Sequence, residues 1–154
     1  MKVVVAFLLL GAISLASEIY MLNFQMHTLS DKNKVVDLNS FKGKYLFLTF
    51  IKGDCEWCEK QLKAFNTLLK SEHSQEIQVV AATLGEDTKL LKAKTKEAEF
   101  PVLSASQELV TSIGGVEMTP YTLISDKKGN FQTKILGYQS ADQIESIIHT
   151  LEGR

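Results

Sequence analysis

The sequence of 154 residues predicts one α/β domain built around a mixed β-sheet. Nearly continuous apolar runs at Tyr45–Ile51 and residues 77–82 are each followed by a helical pattern, which is typical of strands buried on both faces of a sheet. Near the other end of the chain, Tyr121–Ser125 and Phe131–Leu136 flank the polar residues 126–130. That arrangement predicts a β-hairpin, and its antiparallel strands would make the sheet mixed.

The beginning of the chain has the features of a signal peptide. Lys2 precedes an apolar run over residues 3–10, and small residues follow up to and around Ala16, as a signal peptidase requires. The apolar stretch is shorter than the about 20 residues of a membrane span, although an uncleaved membrane anchor is the alternative. We therefore expect a signal peptide over residues 1–17 and one exported domain over residues 18–154, in a compartment where dithiols meet oxidising conditions.

Two short strands and a buried strand precede the first helix. Residues 24–29 and 35–38 are predicted to form two short strands separated by a polar turn, which indicates an N-terminal β-hairpin. After the buried strand Tyr45–Ile51, the turn 52–54 leads into a helix that packs one face on the sheet. The apolar positions of this face recur at helical spacing: Leu62, Phe65, Leu68 and Leu69.

The middle of the chain predicts shorter elements. Glu86-Asp87 would open a lysine-rich helix with a weak apolar face. Residues 100–102 begin a short extended segment, and residues 107–113 predict a short helix that a glycine pair ends. The lysines are best interpreted as the solvated face of a helix, because basic and acidic side chains are nearly balanced at 17 and 18. Nothing in this charge pattern predicts a nucleic-acid partner.

The last helix has a clear start signal. Ser140, with Gln143 three residues later, matches a capping box, in which side chain and backbone satisfy each other at the helix start. An apolar stripe at helical spacing then predicts the buried face. Its members are Ala141, Ile144, Ile147, Ile148 and Leu151.

The two cysteines of the chain form the motif Cys55-Glu56-Trp57-Cys58 at a strand-to-helix junction. Two thiols at this spacing can close a small disulfide, and a helix N-terminus favours the thiolate that disulfide exchange needs. The alternatives are half of a zinc site or two unrelated core cysteines. Zinc usually takes four Cys or His ligands, and the three histidines are scattered. Redox chemistry is therefore the favoured interpretation, with no metal and no cofactor besides the cysteine pair.

This order of elements, with Thr119-Pro120 before the hairpin, resembles the thioredoxin fold. More narrowly, residues 24–151 resemble the exported thioredoxin-like reductases of the TlpA, ResA and CcmG type, including the entry to the central strand at Lys42-Gly43-Lys44. The resemblance implies a mixed central sheet flanked by helices, with an added N-terminal β-hairpin. It also implies an extra strand and helix inserted between the cysteine motif and the proline.

The resemblance assigns roles to the site residues. Cys55 would be the attacking thiolate, and Cys58 the buried thiol that resolves the mixed disulfide. Pro120 would be a cis proline that sets the backbone of Thr119 beside the sulfurs to pair with a substrate strand. The alternative for Thr119-Pro120 is an ordinary turn. Trp57 is expected to contribute to the substrate-binding surface.

Three positions depart from the pattern of that group. Asp54 stands where an aromatic residue commonly precedes the first cysteine, and Gln61 stands where many members have a carboxylate that assists proton transfer. Thr49 aligns with a buried aspartate of thioredoxins. Proton transfer would then involve water, Glu56 or Glu59, although both glutamates are better interpreted as exposed charges near the helix start.

The function expected from these residues is an exported thiol-disulfide oxidoreductase. It would reduce disulfides of specific exported proteins such as apocytochrome c, and a membrane-embedded thiol donor would reset the pair. Negative charge at Asp54 and Glu56 disfavours the Cys55 thiolate and so favours a reductant. The alternatives are a general disulfide oxidase or isomerase and a non-enzymatic thioredoxin-like binding module. A peroxidase is not favoured, because the Pro-x-x-x-Thr-x-x-Cys loop of peroxiredoxins is absent from the sequence.

Overall fold

The computed structural model describes residues 19–85 and 89–153. The predicted signal peptide and the predicted helix start at Glu86-Asp87 lie outside the described residues. The strands are β1 (Gln25–His27), β2 (Val35–Asp37), β3 (Tyr45–Ile51), β4 (Ile77–Thr83), β5 (Val102–Ser104), β6 (Tyr121–Ser125) and β7 (Phe131–Leu136). The α-helices are α1 (Glu56–Leu68), α2 (Lys89–Thr95), α3 (Gln107–Ser112) and α4 (Ala141–Glu152).

Strand β3 lies at the centre of a five-stranded sheet with the order β5-β4-β3-β6-β7. It pairs in parallel with β4, where Tyr45 faces Ile77, and antiparallel with β6, where Phe50 faces Tyr121. Strands β6 and β7 form the predicted hairpin. The mixed sheet predicted from the sequence is therefore confirmed, and the carboxyl end of β3 delivers the chain directly to the cysteine motif.

Alternate side chains of β3 pack into two cores on opposite faces of the sheet. On one face, Phe47 and Ile51 join Leu62 and Phe65 of α1 and Ile148 of α4. The other face carries Leu46, Leu48 and Phe50, covered by the N-terminal segment and α3. Because both faces are buried, the apolar run of β3 needs no polar alternation. This packing fixes helix α1 so that its N-terminus lies near the carboxyl end of the central strand β3.

The N-terminal hairpin is present but shorter than predicted. Strands β1 and β2 pair over three residues each, and the second strand ends at Asp37 instead of Leu38. The Asp37 carboxylate accepts a hydrogen bond of 2.8 Å from the Asn39 N–H, and the Ser40 hydroxyl donates to the Asp37 carbonyl at 2.7 Å. These local bonds favour a 3₁₀ turn over continued strand pairing, so Leu38–Phe41 forms such a turn.

The segment before β1 is tied to the β6–β7 turn. The Met21 N–H donates to the carbonyl oxygen of Gly129 at 2.9 Å, and the side chains of Met21 and Leu22 are buried. Gly129 has a φ of +95°, and a Cβ atom there would lie 2.6 Å from the Leu22 side chain. Glycine is therefore required at this position both by the backbone conformation and by the close packing.

Helix α4 begins with the predicted capping box. The Gln143 N–H donates to the Ser140 hydroxyl at 3.3 Å, and the Ser140 N–H donates to the Gln143 side-chain oxygen at 2.9 Å. The stripe behind this cap is buried at Ile144, Ile148 and Leu151. The start of α4 matters for the site because the residues just before Ser140 reach the cysteine motif.

We expect Ser140→Ala to lower the free energy of unfolding by about 1 kcal/mol, because it removes the side-chain acceptor of the cap. Urea denaturation of both proteins at one pH measures the difference. Ser146→Ala is the matched control, since the Ser146 hydroxyl on the same helix donates back to the Asp142 carbonyl at 3.0 Å and supports no helix end. Its effect should stay within about 0.5 kcal/mol; equal losses in the two variants would contradict the role of the cap.

Candidate active site

Cys55 is the N-cap residue of α1, and it forms a disulfide with Cys58 in the first turn of the helix. The two Cα atoms are 5.2 Å apart. The backbone N–H of Cys58 donates to the Cys55 sulfur at 3.1 Å. The first sulfur therefore occupies the position that capping oxygens take in other helices, at the positive end of the helix dipole.

The two sulfurs differ in their access to solvent. Cys58 is 2% exposed and belongs to the core that joins α1, α4 and the sheet. Cys55 is half-buried at the surface. Cys55 is therefore the sulfur that solvent can reach, whereas the core shields Cys58.

The segment before β6 closes one side of the motif. The peptide bond between Thr119 and Pro120 is cis, as predicted, and Pro120 is buried. The carbonyl oxygen of Thr119 lies 3.5 Å from the Cys55 sulfur. The structure therefore brings together the cysteine pair and Thr119-Pro120, which are far apart in the sequence.

A loop after β7 closes another side of the motif. Tyr138 packs on Trp57 with ring centroids 5.6 Å apart, and the Lys60 ammonium lies 4.1 Å from the centre of the Trp57 ring. In spite of both contacts Trp57 remains 53% exposed, and Met118, next to Thr119, is 46% exposed. Trp57 was expected from the sequence to contribute to the substrate-binding surface, but Tyr138 was not named, since its only signal was an aromatic residue between a strand and a helix cap.

Gln61 lies under this loop and is 1% exposed. Its side-chain oxygen accepts a hydrogen bond from the Gln139 N–H at 2.8 Å, and its side-chain nitrogen donates to the Gln139 carbonyl at 3.2 Å. From the sequence, this position was known only as one where related proteins carry a carboxylate. The structure shows that the amide binds the backbone of the loop before α4.

The charges near the start of α1 are mostly paired with each other. Glu56 forms an ion pair with Lys60 at 3.2 Å, and Glu59 with Lys63 at 3.1 Å. Both pairs lie at the surface with i, i+4 spacing, which fits their interpretation as exposed helix charges. Within residues 19–85 and 89–153, no group of three or more His, Cys, Asp or Glu side chains is arranged to bind a metal ion.

Under the motif, the buried hydroxyl of Thr122 donates to the hydroxyl of Thr49 at 3.1 Å. The two residues are direct cross-strand neighbours on β3 and β6, and both are buried. At the position that was aligned with a buried aspartate of thioredoxins, this protein therefore has a neutral pair of hydroxyl groups. This pair has no group that titrates near neutral pH.

Comparison with known proteins identifies relatives along most of the chain. The sequence profile of the AhpC/TSA family matches residues 20–141. Thiol-disulfide oxidoreductase ResA of Bacillus anthracis is 26% identical over 119 residues, which cover 76% of this chain and 69% of that protein. ResA of Bacillus subtilis strain 168 is 29% identical over 124 residues, covering 79% and 67% respectively.

Solved structures show the same fold. A thiol:disulfide interchange protein of the thioredoxin family from Chlorobium tepidum TLS matches with a TM-score of 0.75 and 22% identity, covering 88% of this chain and 97% of that chain. The exposed lipoprotein thioredoxin Etrx1 of Streptococcus pneumoniae strain TIGR4 matches with a TM-score of 0.67 and 24% identity, covering 82% and 98%. These matches confirm the predicted thioredoxin fold. The chain therefore belongs to the AhpC/TSA family, and the predicted resemblance to its thioredoxin-like thiol-disulfide oxidoreductases of the ResA type is confirmed.

Proposed function

We propose that this protein reduces disulfides of specific exported proteins through Cys55 and Cys58. The observation that carries the proposal is the unequal placement of the two sulfurs: Cys55 is half-exposed at the N-terminus of α1, and Cys58 is buried directly behind it. A structural disulfide gains most when it closes a long loop, and this one spans three positions. A disulfide that closes such a short loop and has one accessible sulfur is suited to repeated reduction and oxidation.

In the proposed reaction, the Cys55 thiolate attacks one sulfur of the substrate disulfide. The substrate S–S bond breaks, a mixed disulfide forms, and the departing substrate thiolate takes a proton from water. Cys58 then gives its proton back to water and attacks the Cys55 sulfur, which releases the second substrate thiolate and closes the Cys55–Cys58 disulfide. Two electrons pass from the pair to the substrate, and a membrane-embedded thiol donor would return them.

The helix N-terminus supports the first step. The Cys58 N–H, 3.1 Å from the Cys55 sulfur, is positioned to stabilise a thiolate there. Asp54 precedes Cys55 in the chain and is exposed, and its negative charge opposes that stabilisation. A strong oxidant owes its potential to a stabilised reduced form, so this balance of charges supports a reductant over a general oxidase or isomerase.

The surroundings of Cys55 support recognition of an extended protein segment. The Thr119 carbonyl beside the sulfur can accept a hydrogen bond from a backbone N–H of the substrate, and Pro120 holds it just before the start of β6. Trp57 and Met118 add exposed apolar area next to the sulfur. Such a surface fits a protein substrate better than a small disulfide.

Export and the choice of substrate are further parts of the proposal. The signal-peptide pattern at the chain start supports export, and two structural neighbours are described as an exposed lipoprotein thioredoxin and a secreted disulfide oxidoreductase. Among the described residues, no helix is long and apolar enough to cross a membrane. We propose apocytochrome c as one candidate substrate, because its haem-attachment thiols must be reduced outside the cytosol.

The accessibility of the sulfurs predicts the order of alkylation. With the protein reduced and iodoacetamide limiting, Cys55 should be modified well before Cys58, because Cys58 is 2% exposed. Peptide mass spectrometry after short reaction times measures both sites. In concentrated urea the two should react at similar rates, and faster modification of Cys58 in the folded protein would reverse the assigned roles.

Catalysis is tested by reduction of insulin with dithiothreitol as the electron source. Wild type should accelerate the reaction, and Cys55→Ser should abolish the acceleration. Reduced Cys58→Ser, mixed with insulin after dithiothreitol has been removed, should form a mixed disulfide that added dithiothreitol releases. Trapping by Cys55→Ser in place of Cys58→Ser would contradict the mechanism. Expressing Cys58→Ser in the native host and identifying the attached protein would test the proposed substrate.

The direction of electron flow is tested by the reduction potential, measured by equilibration with glutathione buffers. We expect a value nearer to the about −270 mV of thioredoxin than to the about −120 mV of a strong oxidant. A value at the oxidising end would favour the general oxidase or isomerase and would remove the proposed reductase function.

A further inference from the structure

We propose that Gln61 is a positioning residue for substrate recognition, which acts by holding Tyr138 against Trp57 beside the reactive sulfur. We call Trp57 and Tyr138 together the aromatic wall. The inference rests on the proposed exchange with protein disulfides and adds to it the residue that organises the binding surface. Gln61 itself is 1% exposed, so it acts on the substrate only through the loop that it binds.

The amide of Gln61 makes two hydrogen bonds to one backbone residue. Its oxygen accepts from the Gln139 N–H at 2.8 Å, and its nitrogen donates to the Gln139 carbonyl at 3.2 Å. Two parallel bonds set both the position and the orientation of the Gln139 peptide groups. Loss of the amide would leave the partly buried N–H and carbonyl of Gln139 without these partners, which costs free energy.

The two contacts between α1 and the loop reinforce each other. Trp57 and Gln61 are four residues apart and therefore lie on the same face of α1. Their partners Tyr138 and Gln139 are adjacent in the loop, with the rings of Trp57 and Tyr138 5.6 Å apart. An aromatic contact on an exposed surface is weak by itself, so the buried pair of hydrogen bonds is the element that fixes the aromatic wall.

The same loop also reaches the segment on the other side of Cys55. The Gly137 N–H donates to the Pro120 carbonyl at 2.9 Å. Gly137 has a φ of +81°, and a Cβ atom there would lie 3.7 Å from the terminal methyl group of Met118. The loop of residues 137–139 therefore joins the aromatic wall to Met118, and both apolar surfaces depend on its position.

An amide meets the requirements of this contact and an ionised carboxylate does not. A carboxylate could accept from the Gln139 N–H, but it would place a negative charge against the Gln139 carbonyl oxygen. A protonated carboxyl group, in contrast, offers one donor and one acceptor. Burial would raise the pKa of a glutamate at this position, so Gln61→Glu should hold the loop at low pH and release it as the pH rises.

The single tryptophan of the chain makes this testable by fluorescence. In Gln61→Leu, which cannot bind the loop at any pH, we expect a shifted Trp57 emission and a KM for insulin about tenfold higher. In Gln61→Glu, the emission and the KM should be close to wild type at low pH and should change together as the pH rises. The emission of wild type should show no such transition.

A small substrate separates recognition from chemistry. Hydroxyethyl disulfide can reach Cys55 without the aromatic wall, so its rate should stay within about twofold of wild type in both variants. A new charge near the sulfurs would instead slow the small and the large disulfide equally. Tyr138→Leu is the matched control, because it should raise the KM for insulin while leaving the hydrogen bonds of Gln61 intact.

The outcomes distinguish this inference from the proposed function. If wild type reduces insulin but Gln61→Leu changes neither Trp57 emission nor the KM for insulin, Gln61 has no positioning role. Equal losses on both disulfides also overturn the inference, because they place the effect at the sulfurs. If wild type reduces neither disulfide, the proposed function fails, whatever Gln61 does to the fluorescence. If Gln61→Leu does not fold, the pH series of Gln61→Glu tests the inference instead. A Trp57 emission and a KM for insulin that do not change with pH would then overturn it.

Discussion

The site depends on the rigid placement of the α1 N-terminus at the carboxyl end of β3. All but the first residue of β3 is buried, and alternate side chains anchor it in the cores on both faces of the sheet. Helix α1 packs on one of these faces through Leu62, Phe65 and Leu68. A helix end held in this way keeps the Cys58 N–H directed at the Cys55 sulfur, where the helix dipole favours a thiolate once the disulfide is reduced.

Three segments that are distant in sequence meet around this helix end. The cysteine motif follows β3, the Thr119-Pro120 segment precedes β6, and the Tyr138 loop follows β7. Because β6 is antiparallel to β3 and β7 is antiparallel to β6, the start of β6 and the end of β7 lie at the same edge of the sheet as the end of β3. The strand directions therefore bring Thr119-Pro120 and Tyr138 to the same place as Cys55.

Two of the three departures from the thioredoxin-like pattern, Thr49 and Gln61, place neutral groups that make hydrogen bonds where ionisable groups were expected. Thr49 shares a hydroxyl hydrogen bond with Thr122, and Gln61 binds the backbone of Gln139. Each neutral group satisfies polar atoms that would otherwise be buried without partners. Glu56 and Glu59 are occupied by surface pairs with Lys60 and Lys63. Water that reaches the half-exposed Cys55 is then the natural proton carrier in the proposed reaction.

The sequence by itself determined the fold class, the strands β3, β6 and β7, the cap of α4 and the cysteine pair. These features are local, because hydrophobic periodicity, turn residues and Cys-x-x-Cys spacing act within a few neighbouring residues. The end of β2 was less predictable, since the Asp37 side chain stops the strand by bonding to its own turn. Only the tertiary structure decided that Tyr138 covers Trp57 and that Gln61 binds Gln139. Those contacts join residues that are 78 to 81 positions apart in the chain. They depend on how β7 and α4 pack beside α1, and no local sequence pattern predicts that packing.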